Sequence, residues 1–268
     1  MSDHESLIDE TAPPGLAATG RGTFQFGAPV FGAAVAVLGV LGLLRGDFTI
    51  VWHPVPEGLP GRAALAYLTA LLFILAGLAM QWRRFRVVGG ATLAVLFVLL
   101  GLPWLTRVIG FPEMIGTWVG YGEQLALALG AAMIALLPRD PGALTVAICR
   151  IAFGLLQLVF GLGHFIALGE TAGMTPAWLP PDQTFWAIAT GVPHFAGGMA
   201  FILGVWPRTV AAALAAMFTS FALLVWLPAV IADPASPVAP AGLVITLALT
   251  GAMLALYDLL GAPGAVRR

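Results

Sequence analysis

The stretch "ALTVAICRIAFGLLQLVFGLGHFIAL", residues 143–168, decides the fold. It is apolar almost throughout, with Arg150 its one charged side chain and His164 its one histidine. Roughly 20 apolar residues suffice to cross the hydrocarbon core of a bilayer, so the run predicts a transmembrane helix. Arg150, Gly154, Gln157, Gly161 and His164 recur at steps of four, three, four and three, which is one stripe of a helix. A soluble helix would carry a broad polar face; here there is a single polar line in an apolar surround. The stripe is therefore expected to point into protein, with its glycines letting a neighbouring helix come close.

The rest of the chain repeats this pattern. Hydrophobic residues make up 60% of the 268 and charged residues 9%, with a mean hydropathy of +0.96, too little polar surface to clothe a soluble globule of this size. The formal net charge of -1 and the absence of a basic patch exclude a nucleic-acid partner. The sole cysteine, Cys149, excludes an intrachain disulfide or dithiol pair. Eight spans are expected, at about 27–45, 61–82, 86–110, 118–137, 143–168, 184–205, 208–232 and 239–260, separated by Pro- and Gly-rich breaks such as "WHPVPEGLPG" and "TPAWLPPDQ". Residues 1–24, acidic and without the order of a signal peptide, read as a disordered cytoplasmic tail, and 263–268 as a C-terminal tail.

Arginine counts set the orientation. Arg21, Arg83, Arg84, Arg86, Arg139, Arg208, Arg267 and Arg268 fall on the side of the termini, against Arg45, Arg62 and Arg107 on the other. Both termini are therefore expected in the cytoplasm, in a bacterial inner membrane, with the long loops 45–60 and 169–183 facing outward. Trp52, Trp104, Trp118, Trp178, Trp186 and Trp226 near the outer boundary, and Trp82 and Trp206 near the inner one, read as interfacial belts.

The halves echo one another. "WLTRVIGFP" (104–112) matches "WLPAVIADP" (226–234) 122 residues later, and "LALALGAAMIAL" (125–136) resembles "ITLALTGAMLAL" (245–256). With four spans per half, both enter from the same side. The fold class expected is thus an all-α integral membrane protein of eight transmembrane helices, built as two parallel four-helix repeats, 25–138 and 139–262.

Ionisable groups inside spans are costly and mark candidate sites. Trp186, Thr190 and His194 share a stripe of the sixth span, with Pro193 able to kink it; Glu123 lies below Trp118 in the fourth. Together with Arg150, Gln157, His164, Glu170 and Trp178 they are expected to line an outward-opening ligand cavity. His164 and His194 would be its hydrogen-bond donors, Trp178 and Trp186 its mouth. Leu43 and Phe73 stand near the places of the two histidines in the first half, and Leu243 near that of Glu123, so the second half is expected to carry the site. Glu170 and His53 also read as solvated loop residues. By helix rise His194 lies about 9 Å deeper than His164, which disfavours a shared haem. No residue cluster has metal-ligand spacing, and no nucleotide-binding loop or catalytic triad occurs.

The segment "CRIAFGLLQLVFGLGHFIALGETAGMTPAWLPP" followed by "FWAIATGVPHFAGGMAFIL" resembles the DoxX-like family of bacterial and archaeal four-helix membrane proteins. Arg150, Gly154, Phe160, Gly161, His164, Pro176, Trp178, Pro180, Thr190, Gly191 and Gly198 carry the resemblance, which covers spans five to eight. It implies a four-helix unit and an association with membrane redox chemistry, since some members are subunits of a thiosulfate:quinone oxidoreductase and others are linked to oxidative-stress partners. It carries over no catalytic residue. The expected function is an accessory or ligand-binding subunit of a membrane redox assembly, with quinone as its ligand and a membrane redox protein as its partner beside the lipid bilayer, and not a stand-alone enzyme. A small-solute transporter or exporter, or a structural membrane scaffold, are the alternatives.

Overall fold

Inside a bilayer every backbone N–H and C=O must find its partner within the chain, and a helix satisfies this locally. The computed structural model describes residues 25–49 and 51–266, and among them the secondary structure is helical with no strand. The tail 1–24 and the terminal arginines Arg267 and Arg268 lie outside the described residues. In chain order the helices are α1 (Gly27–Arg45), α2 (Arg62–Ala79), α3 (Arg86–Gly110), α4 (Ile115–Leu136), α5 (Ala143–Ile166), α6 (Leu168–Met174), α7 (Gln183–Leu203), α8 (Pro207–Phe221), α9 (Leu227–Ala232), α10 (Ala239–Leu260) and α11 (Pro263–Val266). Eight segments are long and apolar enough to cross a membrane, with α8 and α9 counting as one span, Pro207–Ala232. The protein is a polytopic membrane protein.

The helices zigzag. α1 packs on α2, α2 on α3 and α3 on α4; in the second half α5 packs on α7, α7 on α8 and α8 on α10. The halves join through α1 against α10, and through α4 against both α5 and α10, so α4 and α10 form the most buried layer. Small residues make these approaches possible. A Cβ on Gly251 would meet the Phe31 backbone at 2.5 Å, and one on Gly130 the Ala252 methyl at 2.5 Å. Where α1 begins and α10 ends, the buried Asp258 carboxylate of α10 accepts the Gly27 N–H of α1 at 2.8 Å, satisfying a helix-start donor that lipid could not.

Three departures from simple spans matter for the site. First, α5 stops at Ile166 and the chain continues as α6, so Glu170 belongs to a helix rather than an irregular loop. Second, the loop 46–61 turns inward. Gly46, in the left-handed conformation at φ 66°, ends α1, and Asp47 pairs with Arg62 across the loop. The Trp52 carbonyl then accepts Trp104 Nε1 at 2.9 Å and Gln124 Nε2 at 3.1 Å. Trp52 is only 7% exposed, its ring edge-on to Trp226 at 5.9 Å, and is not an interfacial belt residue. His53, expected in solvent, is 2% exposed and lies 5.9 Å from the Phe73 ring; burial lowers its pKa from 6.5 to about 4.

Third, residues Ala222–Trp226 widen into a turn in which the Leu227 N–H reaches back five residues to the Ala222 carbonyl. Pro228 follows immediately, has no N–H to donate, and crowds the carbonyl four residues before it, so the helix yields there.

Candidate functional site

The α5–α7 pair sets the floor of the site. Its crossing is made of glycines: a Cβ on Gly154 would lie 2.9 Å from the Gly198 carbonyl oxygen, one on Gly198 2.7 Å from that of Gly154, and one on Gly161 2.9 Å from the Phe195 nitrogen. Asp182 caps the start of α7 by accepting the Phe185 N–H at 2.8 Å, and α7 continues through Pro193 to Leu203. At its other end the Arg150 guanidinium donates to the carbonyls of Phe201 and Ile202. It satisfies helix-end acceptors and does not line the cavity described next.

His164 and His194 meet across this crossing, ring centroids 5.2 Å apart. The 9 Å difference in depth expected from helix rise does not hold: His164 lies level with Gly191, three residues from His194, an axial offset of about 4.5 Å. Side chains lean toward the N-terminus of their own helix, and α5 and α7 are antiparallel, so the two imidazoles tilt toward one another.

Each ring is fixed through Nδ1. His164 Nδ1 donates to the Ala187 carbonyl at 3.0 Å and lies 3.2 Å from the Thr190 hydroxyl, which itself donates to the Trp186 carbonyl at 2.7 Å. His194 Nδ1 pairs with Gln157 Oε1 at 2.6 Å. For His164 the carbonyl partner fixes Nδ1 as the protonated nitrogen, so in neutral imidazole its Nε2 is a lone pair and an acceptor rather than the expected donor; at His194 the amide partner leaves either tautomer open. Neither Nε2 has a hydrogen-bond partner among the described residues, and neither is sealed in protein.

Above the histidines lies a cavity of 620 Å³, within the range of roughly 300–1,000 Å³ typical of small-ligand sites. Phe160, Phe218 and Phe221 surround the two imidazoles at centroid distances of 5.4–6.5 Å. The widened turn contributes Leu224, Val225 and Trp226 to one wall, and Thr246 and Leu249 of α10 reach the deep end. Trp52 and Val51 enter from the first-half loop, and Glu123 from α4, with the Trp52 indole as a hydrogen-bonding partner of its carboxyl. At the mouth stand Glu170 and Thr171 of α6 and Trp186, whose indole donates to the Pro180 carbonyl at 2.9 Å.

Of the residues singled out in the sequence, His164, His194, Thr190, Trp186, Glu170 and Glu123 line this cavity. Gln157 lies behind His194 and orients it. Trp178 is 61% exposed and does not line it. Sequence reasoning missed Trp52, Trp226 and the three phenylalanines. Phe160 carried a usable signal, lying three residues after Gln157 and four before His164 on the same stripe. Among the described residues no group of three or more His, Cys, Asp or Glu could hold a metal ion.

These features define a polytopic helical membrane protein with an aromatic-walled cavity between its halves, its histidines on α5 and α7 and its further lining from the 46–61 loop and α4, so the second half does not carry the site alone as expected; the cavity lies at the end of the bundle opposite the start of α1 and the end of α10. Residues 145–228, from α5 to the start of α9, match the DoxX family model, and this stretch includes His164, Trp186, Thr190 and His194 of the cavity. No curated protein and no solved structure matches the chain.

Proposed function

We propose that this protein is a ligand-binding accessory subunit of a quinone-linked membrane redox assembly, and not a stand-alone enzyme. Its cavity receives a quinone-type headgroup between Trp52 and Trp186. The observation that carries the reading is the pair of imidazoles on the floor of a mostly apolar, aromatic-walled cavity whose other polar lining includes Glu123, Glu170, Thr190 and Thr246. Such a floor fixes the polar end of an amphipathic molecule while the walls take its ring and tail. The resemblance to DoxX-like proteins adds membrane redox chemistry and a redox partner in the same bilayer. Both termini are read as cytoplasmic and the cavity mouth as outward, in a bacterial inner membrane, on the arginine distribution.

We read the chain further as a parallel duplication. Supporting this, Gly32 and Gly77 cross so closely that a Cβ on either would meet the other's carbonyl oxygen at 2.5 Å, as a Cβ on Gly154 or Gly198 would at 2.9 or 2.7 Å, and the Trp104 ring lies over Gly120 as that of Trp226 lies over Gly242. These counterparts stand 121 or 122 residues apart. In this register His194 faces Phe73, and Gly42, next to the expected Leu43, stands opposite His164.

The test is extraction of purified protein from native membranes and analysis of bound lipids, together with partner activity in His164→Ala and His194→Ala. Retained quinone that is lost in the variants supports the reading; quinone-free protein with unchanged partner activity removes it. A small-solute transporter draws on the widened turn at Ala222–Trp226 and Pro193, both places where a helix can flex. Proteoliposome flux that depends on His194 would favour that alternative.

A further inference from the structure

We infer that the cavity selects a ligand that donates a hydroxyl hydrogen, a phenol or hydroquinone headgroup, gripped by the Nε2 lone pair of His164. This rests on the ligand-binding reading above and specifies the chemistry of its occupant.

The Ala187 carbonyl can only accept. His164 Nδ1, 3.0 Å from it, must therefore be the protonated nitrogen, and the neutral ring turns an acceptor to the cavity. The Thr190 hydroxyl, committed to the Trp186 carbonyl, reinforces that tautomer by offering Nδ1–H a lone pair. A ligand carbonyl presented to His164 would set lone pair against lone pair; a ligand hydroxyl completes the bond.

His194 behaves differently. Its Nδ1 meets the rotatable amide of Gln157, which is fully buried and whose Nε2 has no partner. Turning that amide over exchanges one unpaired amide atom for the other, at no further loss of a protein hydrogen bond. His194 can thus show the cavity either a lone pair or an N–H. The site demands a hydroxyl at His164 and tolerates hydroxyl or carbonyl at His194. The flat aromatic body is set by Phe160, Phe218 and Phe221, which leave the imidazoles open toward the cavity.

The test uses the full chain in lipid nanodiscs and two probes, 4-nonylphenol and 4-nonylanisole, which differ in the hydroxyl hydrogen. Binding is followed by tryptophan quenching, since Trp52, Trp186 and Trp226 line the cavity. The phenol is expected to bind about tenfold tighter, the equivalent of one hydrogen bond of about 1.4 kcal/mol. His164→Phe should bring the ratio close to one through weaker phenol binding, with anisole binding kept. Equal binding of both probes to the unaltered protein overturns the hydroxyl selection and leaves the ligand site standing. Tenfold selection that survives His164→Phe overturns the role of His164. Failure of both probes to bind removes the ligand site itself and this inference with it.

Discussion

The closest backbone approach of the site lies at Gly154 and Gly198, and its substitution has a sign opposite to the usual one. Replacing a mid-helix glycine by alanine ordinarily stabilises a helix by about 0.5–1 kcal/mol through backbone entropy. At Gly198 the added methyl would lie 2.7 Å from the Gly154 carbonyl oxygen and 3.0 Å from Leu158 side-chain atoms. Ordinary contact begins at 3.4 Å, and the carbonyl is backbone, so α5 and α7 must part by up to 0.7 Å. Overpacking of this kind costs about 1–3 kcal/mol, which leaves Gly198→Ala destabilised by up to roughly 2.5 kcal/mol after the entropic gain. Gly169→Ala is the control: it lies in α6 with nothing within 4 Å, and its stability should stay level or rise by up to about 1 kcal/mol. Unfolding in mixed SDS micelles, followed by tryptophan fluorescence, separates the two. A Gly198→Ala protein as stable as the parent would refute the close-crossing argument and the placement of the two imidazoles that depends on it.

Three further outcomes are expected. Asp258→Ala, which leaves the Gly27 N–H without its buried acceptor, should lose about 1–3 kcal/mol in the same assay, and Asp258→Asn, which keeps an acceptor oxygen, distinctly less. Because burial lowers the pKa of His53 from 6.5 to about 4, the unfolded chain takes up its proton first. The contribution of His53 to stability is full above pH 6.5 and drains by about 3 kcal/mol as pH falls to 4. His53→Phe should flatten stability against pH across that window, and slopes equal to those of the parent would contradict it. Pro228→Ala restores an N–H for the Leu224 carbonyl, draws the widened turn toward a regular helix, and should raise thermal stability while weakening binding of the phenol probe.

What could be read in advance follows from which physics is local. The apolar run at 143–168 announces a span because the bilayer thickness fixes the length of apolar chain needed, and the glycines at 154 and 161 announce a close neighbour because their stripe is periodic. The meeting of His164 and His194 is hidden because rise counted from span ends does not give the register of α5 against α7, which sets Gly191 beside His164, nor the lean of side chains in antiparallel helices. Trp52 and His53 were misplaced for another reason. A loop has no period, and the bonds that draw it inward come from Trp104 and Gln124, distant in sequence. The wall at Ala222–Trp226 needed both Pro228 and the tertiary setting, for α3 carries Pro103 inside it and remains a regular helix.

The volume and lining of the cavity together restrict its occupant. The cavity of 620 Å³ is open at its mouth, so water, a lipid chain or a small amphipathic molecule can each enter it. Water would serve the two Nε2 atoms but gains nothing from the walls of Phe160, Phe218, Phe221, Leu224 and Leu249. A lipid chain would serve the walls and leave both Nε2 atoms without a partner, at about 1–3 kcal/mol each. A molecule with a hydroxyl-bearing ring at one end and an apolar body behind it meets both demands, entering head first past Trp186 and under Trp52. The polypeptide that roofs this space comes from the loop between α1 and α2, so removing the Trp52 ring should loosen the occupant without disturbing the floor that recognises it.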